Sequence, residues 1–586
     1  MPRELITIQV GQCGNQIGHR FWELALREHA ANNTAGLFDE AMSSFFRNVD
    51  CRSNPPRDIP IGDGSAPISN LKARAVLVDM EEGVVNEMRK GRLGGLFDAQ
   101  QLLTDVSGSG NNWAHGHHLY GPQYRDNLLE SIRRPVEACE SLQSFLLLQS
   151  LGGGTGSGLG CYILSLLEDE FPEAYRFATS VFPSEDDDVI TSPYNALLSL
   201  AELTEHADAV FPLENQALMD MCSLIQTRSG PSATRPASLL SGPTAGKSKG
   251  KAFDGMNGIA ANMLLHLTSS VRFEGALNVD LNEITTNLVP FPRLHFLLAS
   301  LSPLAAPKDV GKLMGPPRAV DQVLSSSPKQ ESVAFQDVLL CMRDTNLGLP
   351  VFTEVFSREH QLMKVDPRKS TYLACCLLTR GKMSIADMNR NVTRLKPNLR
   401  MVHWNSDGFK LGICSTPPVG VPYSLLGLVN NSCVVTSFRT MQDRFARLYK
   451  RKFYLHHYLQ YMEEGAFTHA IETVACLNDE YLARTAAAPA PQQARPQVVQ
   501  GCGVQVLHHF HQCRPINASQ QMDSSGVLSL REAEAALQIP PQVTVDWVLR
   551  VVALYRAFSF DRGNQHRYWC RIACAQILSA HGTPYS

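Results

Sequence analysis

The sequence Gly152-Gly153-Gly154-Thr155-Gly156-Ser157-Gly158 decides the fold class of this chain. It follows a predicted strand over residues 145–149 and precedes a predicted helix over residues 159–169. Glycines let backbone N–H groups approach a phosphate closely, and the N-terminus of the following helix adds a positive partial charge. Flexible linkers do not usually lie between a buried strand and an amphipathic helix. The stretch therefore predicts a phosphate-binding loop in an α/β domain.

Two common types of phosphate loop are excluded by the residues present. The stretch does not end in Lys followed by Ser or Thr, so it is not of the Walker A type. No frame through residues 152–160 satisfies the dinucleotide pattern G-x-G-x-x-G. Because the loop has no lysine, Mg²⁺ and backbone dipoles would have to balance the charge of a bound triphosphate.

The sequence around the loop alternates short apolar runs with amphipathic stretches over residues 1 to about 300. This alternation predicts a parallel sheet flanked by helices. The predicted strands cover residues 5–10, 75–78 and 145–149, and the predicted helices cover residues 15–29, 122–140 and 159–169. A further strand is predicted at 370–378, and two helices are predicted within 440–482.

Composition and charge exclude several classes of protein. The 586 residues are 44% hydrophobic and 19% charged, so the chain can bury more than one core. The net charge of −3 argues against a general binder of nucleic acid or of membrane surfaces. Since no signal peptide is recognised, the fifteen cysteines are expected to be reduced thiols. These features predict a soluble, intracellular, multidomain protein.

Several motifs in order give the chain a resemblance to the tubulin family over roughly residues 3–482. Gly11-Gln12-Cys13-Gly14-Asn15-Gln16-Ile17-Gly18 is similar to the first nucleotide loop of that family, and residues 152–158 are similar to its signature loop. Asn278-Val279-Asp280-Leu281-Asn282-Glu283 is similar to its interface loop. The resemblance implies a tubulin-like α/β fold, with a Rossmann-like GTP-binding domain, an α+β intermediate domain and C-terminal helices.

The resemblance also implies a division of the chain into domains. The GTP-binding domain would cover residues 1–225, and a long insertion with the start of a core helix would cover 226–257. An intermediate domain would follow at 258–438, with an irregular insertion at about 307–358. The remaining segments would be a C-terminal helical region at 439–485, a linker at 486–500 and an appended helical unit at 501–586.

The phosphates and a metal ion would be held by residues at the ends of the predicted strands. By resemblance, Gln12 and Cys13 would lie under the nucleotide, and Gly153, Gly154, Thr155 and Gly156 would form the phosphate loop. Residues 108–112 resemble the loop of the family that senses the γ-phosphate, in which Asn111 would donate to phosphate. Asp79 and Glu81, with Gln12, would hold Mg²⁺, since carboxylates suit a hard cation that keeps part of its water shell. The alternative for Asp79 and Glu81 is a solvated acidic turn.

The base and the ribose would be recognised by a second set of residues. By resemblance, Asn215 and Asn257 would read guanine, because an amide offers both a donor and an acceptor. Phe253 would stack on the base, although tubulins commonly have Tyr at that position. Ser192 replaces the Glu that usually precedes Pro-Tyr-Asn in the family. Asp188 would then be the contact to the ribose.

Glu283 is the candidate catalytic residue. Alpha-type tubulins carry Glu in the interface loop and beta-type tubulins carry Lys, and this loop acts on the nucleotide of the next subunit. A carboxylate can orient and polarise the attacking water, which a lysine cannot do in the same way. The resemblance thus implies an assembly-coupled GTPase whose active site is completed between subunits. A surface Glu without a catalytic role remains the alternative.

Within the family, the chain resembles the epsilon class. The similar stretches are residues 43–50, 79–87 and 168–177, together with the long insertion at 228–251. This class implies a role in centriole and basal-body microtubules, with delta-tubulin, alpha/beta-tubulin and centriolar proteins as partners and no nucleic acid or membrane. The alternatives are a general lattice subunit, a nucleotide-binding scaffold without hydrolysis and a stand-alone nucleotide enzyme.

The C-terminal unit carries two weak motifs. Residues 521–532 follow the pattern of an EF-hand loop, but Gln521 replaces the first acidic ligand and would weaken Ca²⁺ binding. Cys502, His508, His509, His511 and Cys513 are zinc-ligand types without a standard zinc spacing. Seven Arg against five Asp and Glu in this unit exclude the acidic tail of lattice-forming tubulins.

Overall fold

A computed structural model describes residues 3–32, 40–52, 57–59, 70–184, 187–228, 253–304, 349–381, 383–421 and 423–486. The statements below concern these residues. Nearly all of the insertion at 228–251, most of the irregular region at 307–358, the linker and the C-terminal unit lie outside them. The predicted EF-hand-like loop and the Cys/His group therefore stay predictions.

The described residues form helices and strands in regular alternation through the first part of the chain. The strands are β1 Glu4–Val10, β2 Phe46–Asp50, β3 Arg57–Asp58, β4 Leu71–Ala73, β5 Ala75–Asp79, β6 Leu102–Thr104, β7 Leu142–Ser150, β8 Tyr175–Phe182, β9 Ala209–Glu214, β10 Leu297–Ser302, β11 Tyr372–Gly381, β12 Phe409–Cys414 and β13 Tyr423–Asn431. The helices are α1 Gly11–Asn32, α2 Glu40–Ser43, α3 Glu82–Lys90, α4 Gly121–Glu137, α5 Gly160–Glu170, α6 Ser192–His206, α7 Asn215–Arg228, α8 Asp254–Leu267, α9 Ser269–Arg272, α10 Leu281–Leu288, α11 Leu349–Glu354, α12 Ile385–Leu395, α13 Val434–Tyr449 and α14 Gly465–Thr485.

The first sheet has six strands in the order β6-β5-β1-β7-β8-β9, and its strand pairs are all parallel. This confirms the predicted parallel sheet. The strand order reverses between β1 and β7, whose following connections leave the sheet in opposite directions. In open α/β sheets, ligands bind at such a switch point, beyond the carboxyl ends of the strands. The topology therefore places the glycine stretch, which follows β7, at the expected position of a ligand.

Both faces of this sheet are covered, which explains why most residues of its central strands are buried. Leu5 packs in a core with Phe21 and Trp22 of α1, on one face. Ile6 and Ile8 of the same strand point to the other face and pack in a second core. Since side chains alternate along a strand, a single buried strand supplies both cores.

The second sheet is mixed and has the order β10-β13-β11-β12. Strand β13 is antiparallel to both β10 and β11, whereas β11 and β12 are parallel. Residues of α10 and α12, such as Ile284 and Met388, are fully buried. This α+β arrangement agrees with the fold implied for the intermediate part of the chain.

Some predicted boundaries were wrong by a few residues. The helix predicted from residue 15 begins at Gly11, because Gly11 has φ +71° and turns the chain in one step after β1. The strand predicted at 370–378 is Tyr372–Gly381, and the helix predicted from 440 begins at Val434. Val434 and Phe438 are buried, so the first turns of this helix pack against the rest of the protein. The apolar periodicity of the sequence did not predict these turns.

The two C-terminal helices, α13 and α14, pack on α6 through aromatic side chains. Tyr194 of α6 contacts Phe445, Tyr458 and Phe467 at ring-centroid distances of 5.3 to 5.5 Å. This packing brings residues 450–464, which connect α13 to α14 and are called the connector below, close to the first sheet. None of the helices in the described part of the chain is long and apolar enough to cross a membrane.

Candidate nucleotide-binding site

The glycine stretch leaves β7 and turns into α5 with no room for side chains at its centre. A Cβ atom on Gly154 would lie 2.5 Å from the backbone nitrogen of Asn112, and one on Gly156 would lie 3.0 Å from the carbonyl oxygen of Ser150. Thr155–Leu159 form a π-helical turn before α5 begins. At Gly153, by contrast, the nearest atom to an added Cβ is 3.8 Å away. Gly154 and Gly156 are therefore required by the loop itself, whereas Gly153 leaves space beside it.

The first predicted loop, at the end of β1, packs directly on the glycine stretch. An added Cβ on Gly11 would lie 3.0 Å from the nitrogen of Gly156. Asn15, in the first turns of α1, donates from Nδ2 to the carbonyl oxygens of Gly11 at 2.9 Å and Val78 at 3.2 Å. Gln12 is exposed beside this contact. The structure thus brings the ends of β1, β5 and β7 together, as the motifs predict.

Cys13 is partly exposed at the same strand end. Desolvation by the surrounding protein raises the pKa of its thiol to about 12. The side chain is therefore a neutral thiol at neutral pH, and it brings no negative charge to a site that is predicted to hold phosphates.

Asp79 and Glu81 follow β5 and lie beside this junction. The Asp79 side chain is buried, and burial raises the pKa of its carboxyl group to about 6, with a smaller contribution from the charge of Glu81. Asp79 Oδ1 accepts a hydrogen bond from the nitrogen of Glu81, but Oδ2 has no partner among the described residues. Glu81 is exposed, and its Oε1 lies 2.8 Å from the position of a Cβ on Gly108.

These two carboxylates fit the divalent cation that the sequence predicts. Buried polar oxygens are normally hydrogen-bonded, so the orphaned Oδ2 of Asp79 fits a cation or its bound water. In the described part of the chain, no group of three His, Cys, Asp or Glu side chains forms a metal site of its own. Two carboxylates supplemented by phosphate and water oxygens are nonetheless a usual set of ligands for Mg²⁺.

The loop after β6 packs on the glycine stretch from the other side. Gly108, Gly110 and Asn111 have φ angles of +59°, +57° and +52°, so the loop is built from left-handed residues. Ser109 Oγ and Thr155 Oγ1 are hydrogen-bonded at 2.8 Å. Asn111 Oδ1 lies 3.8 Å from the position of a Cβ on Gly153, on the side of the loop that has space. Asn111 therefore lies where the sequence places it, next to the phosphate loop.

Two neighbouring acidic residues on the predicted ribose side differ in their exposure. Asp188 is exposed, whereas Asp187 is half-buried and its Oδ2 lies 3.5 Å from the position of a Cβ on Gly152. Ser184 Oγ is hydrogen-bonded to Asp187 Oδ1 at 3.0 Å, and desolvation raises the pKa of Asp187. Ser192 is buried, and its hydroxyl has no partner among the described residues. Asp187 is a residue that the sequence reasoning missed, although it belongs to the same acidic run.

The predicted base-binding residues lie at the starts of two helices. Asn215 begins α7 directly after β9, so it lies at the same edge of the sheet as the glycine stretch. Asn257 lies in the first turn of α8, and its nitrogen donates to the carbonyl oxygen of Phe253 at 2.8 Å. Phe253 is 52% exposed and has φ +72°. An aromatic ring with half of its surface free can accept a stacked base.

Asn195 is a second residue whose role the sequence reasoning missed. It belongs to the family motif Pro193-Tyr194-Asn195, and the sequence analysis assigned no role to it. In the structure it is fully buried and is hydrogen-bonded to both Asn111 and Gly152. Since no helix was predicted over residues 192–206, no local pattern pointed to this role.

Glu283 lies far from these residues. It is in the first turn of α10, and Asp280, the residue before that helix, forms an ion pair with Arg3. Arg3 precedes β1, so α10 begins at the amino-terminal edge of the sheet. The seven residues of β1 separate this edge from the glycine stretch by roughly 20 Å. Lys410 Nζ of β12 contacts Glu283 Oε2 at 2.5 Å. The structure thus does not bring Glu283 to the other predicted site residues.

Comparisons with known proteins agree with this architecture. Residues 4–223 match the GTPase domain of the Tubulin/FtsZ family, and residues 345–443 match the Tubulin C-terminal domain. The chain is 51% identical to the tubulin epsilon chain of Mus musculus, over 84% of this chain and 99% of that protein. It is 50% identical to the tubulin epsilon chain of Homo sapiens, over 84% of this chain and 98% of that protein.

More distant tubulins also match along most of their length. The tubulin alpha-3 chain of Saccharomyces cerevisiae is 33% identical, over 82% of this chain and 97% of that protein. The predicted resemblance is confirmed, and with it the prediction of a guanine nucleotide as the bound ligand. The glycine stretch, the loops around it and these matches lead to one conclusion: the chain belongs to the tubulin family and is a GTP-binding protein of the microtubule cytoskeleton.

Proposed function

We propose that this chain acts as an epsilon-class tubulin, a structural subunit of centriole or basal-body microtubules with doublet or triplet walls. Identities of 50 to 51% to two epsilon chains, against 33% to an alpha chain, support the class. The proposed partners are other tubulins, with delta-tubulin and alpha/beta-tubulin foremost, and centriolar proteins. The proposed location is the cytoplasm, at the centrosome, centriole or basal body.

The proposed nucleotide complex uses the residues grouped around the switch point. Mg²⁺ would be held by Asp79 and Glu81 with Gln12, and it would neutralise charge on the phosphates. The backbone N–H groups of Gly153 to Gly156 would hold the phosphates, and the amide of Asn111 would face the terminal phosphate. Asp188 would contact the ribose, and Asn215, Asn257 and Phe253 would hold the base. The open space beside Gly153, where the nearest atoms to an added Cβ are Asn111 Oδ1 at 3.8 Å and Ser150 Oγ at 3.9 Å, is the observation that supports this arrangement.

We further propose that Glu283 acts on the GTP of a neighbouring subunit. The observation that carries this proposal is the separation of Glu283 from the glycine stretch by the full length of β1. A carboxylate at that distance cannot reach a nucleotide in its own chain. When subunits stack end to end, the amino-terminal edge of one sheet meets the carboxyl edge of the next. Glu283 would then orient the attacking water and accept its proton.

Lys410 has a definite part in this proposal. Its ammonium group holds Oε2 of Glu283 and leaves Oε1 available to a water molecule. The ion pair is partly exposed, with side-chain exposures of 29% for Lys410 and 44% for Glu283, so its own contribution to stability is small. Its effect is to fix the direction in which the free carboxylate oxygen points.

The nucleotide part is tested by purifying the full chain and measuring its bound nucleotide and its GTP turnover. Bound guanine nucleotide, with turnover per chain that rises as subunits associate, is the expected result. A complete lack of guanine nucleotide would favour a scaffold that does not use it. Full turnover in dilute monomer would favour a stand-alone enzyme and contradict a site that is shared between subunits.

The cellular part is tested by tagging the chain in its own cells and recording its position by light microscopy. Confinement to centrioles or basal bodies is the expected result. Uniform labelling along cytoplasmic microtubules would instead indicate a general lattice subunit, and it would overturn the specialised role while leaving the nucleotide site unaffected.

A further inference from the structure

Asn195 uses the whole hydrogen-bonding capacity of its side chain to join three segments. Its Nδ2 donates to the carbonyl oxygens of Asn111 and Gly152, both at 2.8 Å. Its Oδ1 accepts from the nitrogen of Trp113 at 3.0 Å and from the hydroxyl of Tyr458 at 2.6 Å. A side-chain amide has two donors and two acceptor sites, so none is left for a ligand. Asn195 therefore acts on the phosphate loops and does not contact a nucleotide directly.

The bond to Asn111 stabilises a backbone conformation that is otherwise unfavourable. Asn111 has φ +52°, a left-handed backbone conformation that residues other than glycine adopt uncommonly. Its carbonyl oxygen accepts from Asn195 and also from Thr191 Oγ1 at 3.2 Å. These two bonds hold the loop in the form that places the Asn111 amide beside Gly153. Without them, the loop could relax to a right-handed conformation and move that amide away.

The connector reaches the same loop through two of its residues. Tyr458 donates to Asn195, and the carbonyl oxygen of His457 accepts from Asn112 Nδ2 at 2.9 Å. The Tyr458 side chain is almost fully buried, so its hydroxyl has no access to bulk water as a substitute partner. A displacement of the connector would therefore be transmitted to both phosphate loops.

We propose that Asn195 is a positioning residue through which the connector sets the preference of the site for GTP over GDP. The inference rests on the proposed function, in which Asn111 faces the terminal phosphate. A loop that is already held in its binding conformation loses less entropy when a phosphate arrives. Because only GTP has the terminal phosphate, loosening this loop weakens GTP binding more than GDP binding. By linkage, bound GTP also stabilises the connector more than bound GDP does.

The test uses two tyrosine variants that each lose one buried hydroxyl near the connector. Tyr458→Phe removes the bond to Asn195. Tyr194→Phe removes a bond of similar length, 2.8 Å, from the Tyr194 hydroxyl to the carbonyl oxygen of Phe453. Both rings belong to the same aromatic cluster, so the two variants are matched in chemistry and burial. Only the first breaks the path to the phosphate loops.

The measurements are the dissociation constants of the full chain for GTP and for GDP with Mg²⁺, together with the melting temperature. We expect Tyr458→Phe to weaken GTP binding about 10-fold and GDP binding less than about twofold, as for the loss of one buried hydrogen bond. We expect Tyr194→Phe to lower the melting temperature without changing the ratio of the two constants. An equal loss for both nucleotides, or the same change of ratio in Tyr194→Phe, would overturn the inference.

A second variant tests Asn195 itself. Asn195→Asp keeps the acceptor for Tyr458 and Trp113 but removes both donors, and we expect GTP binding to weaken about 100-fold. Amide hydrogen exchange of the connector, in the wild-type chain and in Tyr458→Phe, gives a readout that a merely structural role would not change. GTP should protect the connector more than GDP in the wild-type chain only. If the wild-type chain binds neither nucleotide, the proposed function fails, and this inference fails with it.

Discussion

The two edges of the six-stranded sheet differ sharply in how their polar groups are satisfied. At the carboxyl edge, two buried oxygens, Asp79 Oδ2 and the Ser192 hydroxyl, have no hydrogen-bond partner among the described residues. At the amino-terminal edge, charged side chains are paired with each other. The pairs there are Arg3 with Asp280, Lys410 with Glu283, His206 with Glu168 and Arg176 with Asp208.

Under the proposed function, this difference would let one chain carry two halves of an active site without completing either. The carboxyl edge is unsatisfied by protein atoms, so it gains stability from an anionic ligand and a cation. The amino-terminal edge already holds its charges in pairs, and it includes a cavity of about 460 Å³ lined by residues such as Arg176, Asp208 and Arg293. Under the proposed function, the ligand-binding edge of one subunit would meet Glu283 of the next when two subunits stack.

The largest expected effect separates catalysis from binding at these two edges. Glu283→Gln should lower GTP turnover in co-assemblies by about 10³-fold, the range of a lost general base, because Gln cannot accept the proton of the attacking water. GTP binding by the variant chain itself should stay within about twofold, since Glu283 lies at the far edge. Single-turnover hydrolysis and nucleotide binding, measured on the same preparations, check both statements.

Glu359→Gln is the matched control for this prediction. Glu359 is exposed in the turn Arg358–His360, so the substitution makes the same change of charge on a surface without a proposed role. If Glu283→Gln and Glu359→Gln gave the same turnover, Glu283 would be an ordinary surface residue.

The next effect concerns the carboxyl edge, where two neighbouring glycines should behave differently. Gly154→Ala should weaken GTP binding about 100-fold or more, because its Cβ would meet the Asn112 backbone at 2.5 Å and displace the loop. Gly153→Ala has space in the protein and should keep the melting temperature of the wild-type chain. It should nonetheless weaken GTP binding about 10-fold, through its contact with the ligand.

Isothermal titration and thermal melting of both variants distinguish a displaced loop from a lost contact with the nucleotide. Gly95→Ala serves as the control, because no atom lies within 4 Å of its added Cβ and it belongs to the turn Gly94–Leu96, which holds no predicted site residue. A Gly153→Ala chain with unchanged GTP affinity would show that the nucleotide does not approach this side of the loop.

At the carboxyl edge, the effect of Mg²⁺ on GTP affinity should depend on pH through the ionisation of Asp79. Burial raises the pKa of Asp79 to about 6, and Mg²⁺ requires the ionised carboxylate. The gain in GTP affinity from Mg²⁺ should thus be full above pH 7 and about 10-fold smaller at pH 5, one unit below that pKa. The ligand-free chain should show the opposite trend and gain stability as the pH falls through 6.

Asp79→Asn is the control for this pH dependence. Its amide does not titrate, so the effect of Mg²⁺ on GTP affinity should be small and nearly constant between pH 5 and pH 8. An Asp79→Asn chain that kept the wild-type pH profile would assign the metal to other residues.

The smallest expected effect lies among the ion pairs of the amino-terminal edge. Hydrogen bonds to Glu202 and Glu168 raise the pKa of His206 to about 9. Its folded pKa exceeds the unfolded value, so its contribution to stability is full below pH 6.5 and is lost as the pH rises through 9. We expect roughly 1–2 kcal/mol, after allowing for the solvent that reaches the pair, and a melting temperature lower by a few degrees at pH 10.

Melting curves of the wild-type chain and His206→Gln between pH 6 and pH 10 check this expectation. The variant should start lower and show a flatter profile, since Gln stays neutral throughout. Parallel profiles for the two chains would mean that His206 carries no charge in the folded protein.

Much of the fold was predictable because its signals are local. Strand β7, the glycine stretch and α5 lie within about thirty consecutive residues. The apolar run of the strand is clearly different from the apolar spacing of the helix. By resemblance, Asn111 and Gly153 were both predicted to contact phosphate, and in the structure they lie beside each other. Asp187 was not singled out because three adjacent Asp residues look alike in sequence, and its position beside Gly152 is set by the tertiary structure.

The sequence by itself determined the fold class, the family and the chemistry of the phosphate loop, since each depends on residue types at short, fixed spacings. Only the tertiary structure decided which groups share a site. The four partners of Asn195 lie 43 to 263 positions away along the chain, and Glu283 is assigned to the far edge by its neighbour's contact with Arg3. These long-range contacts depend on the order of strands in the sheet and on core packing, which local residue spacings do not determine.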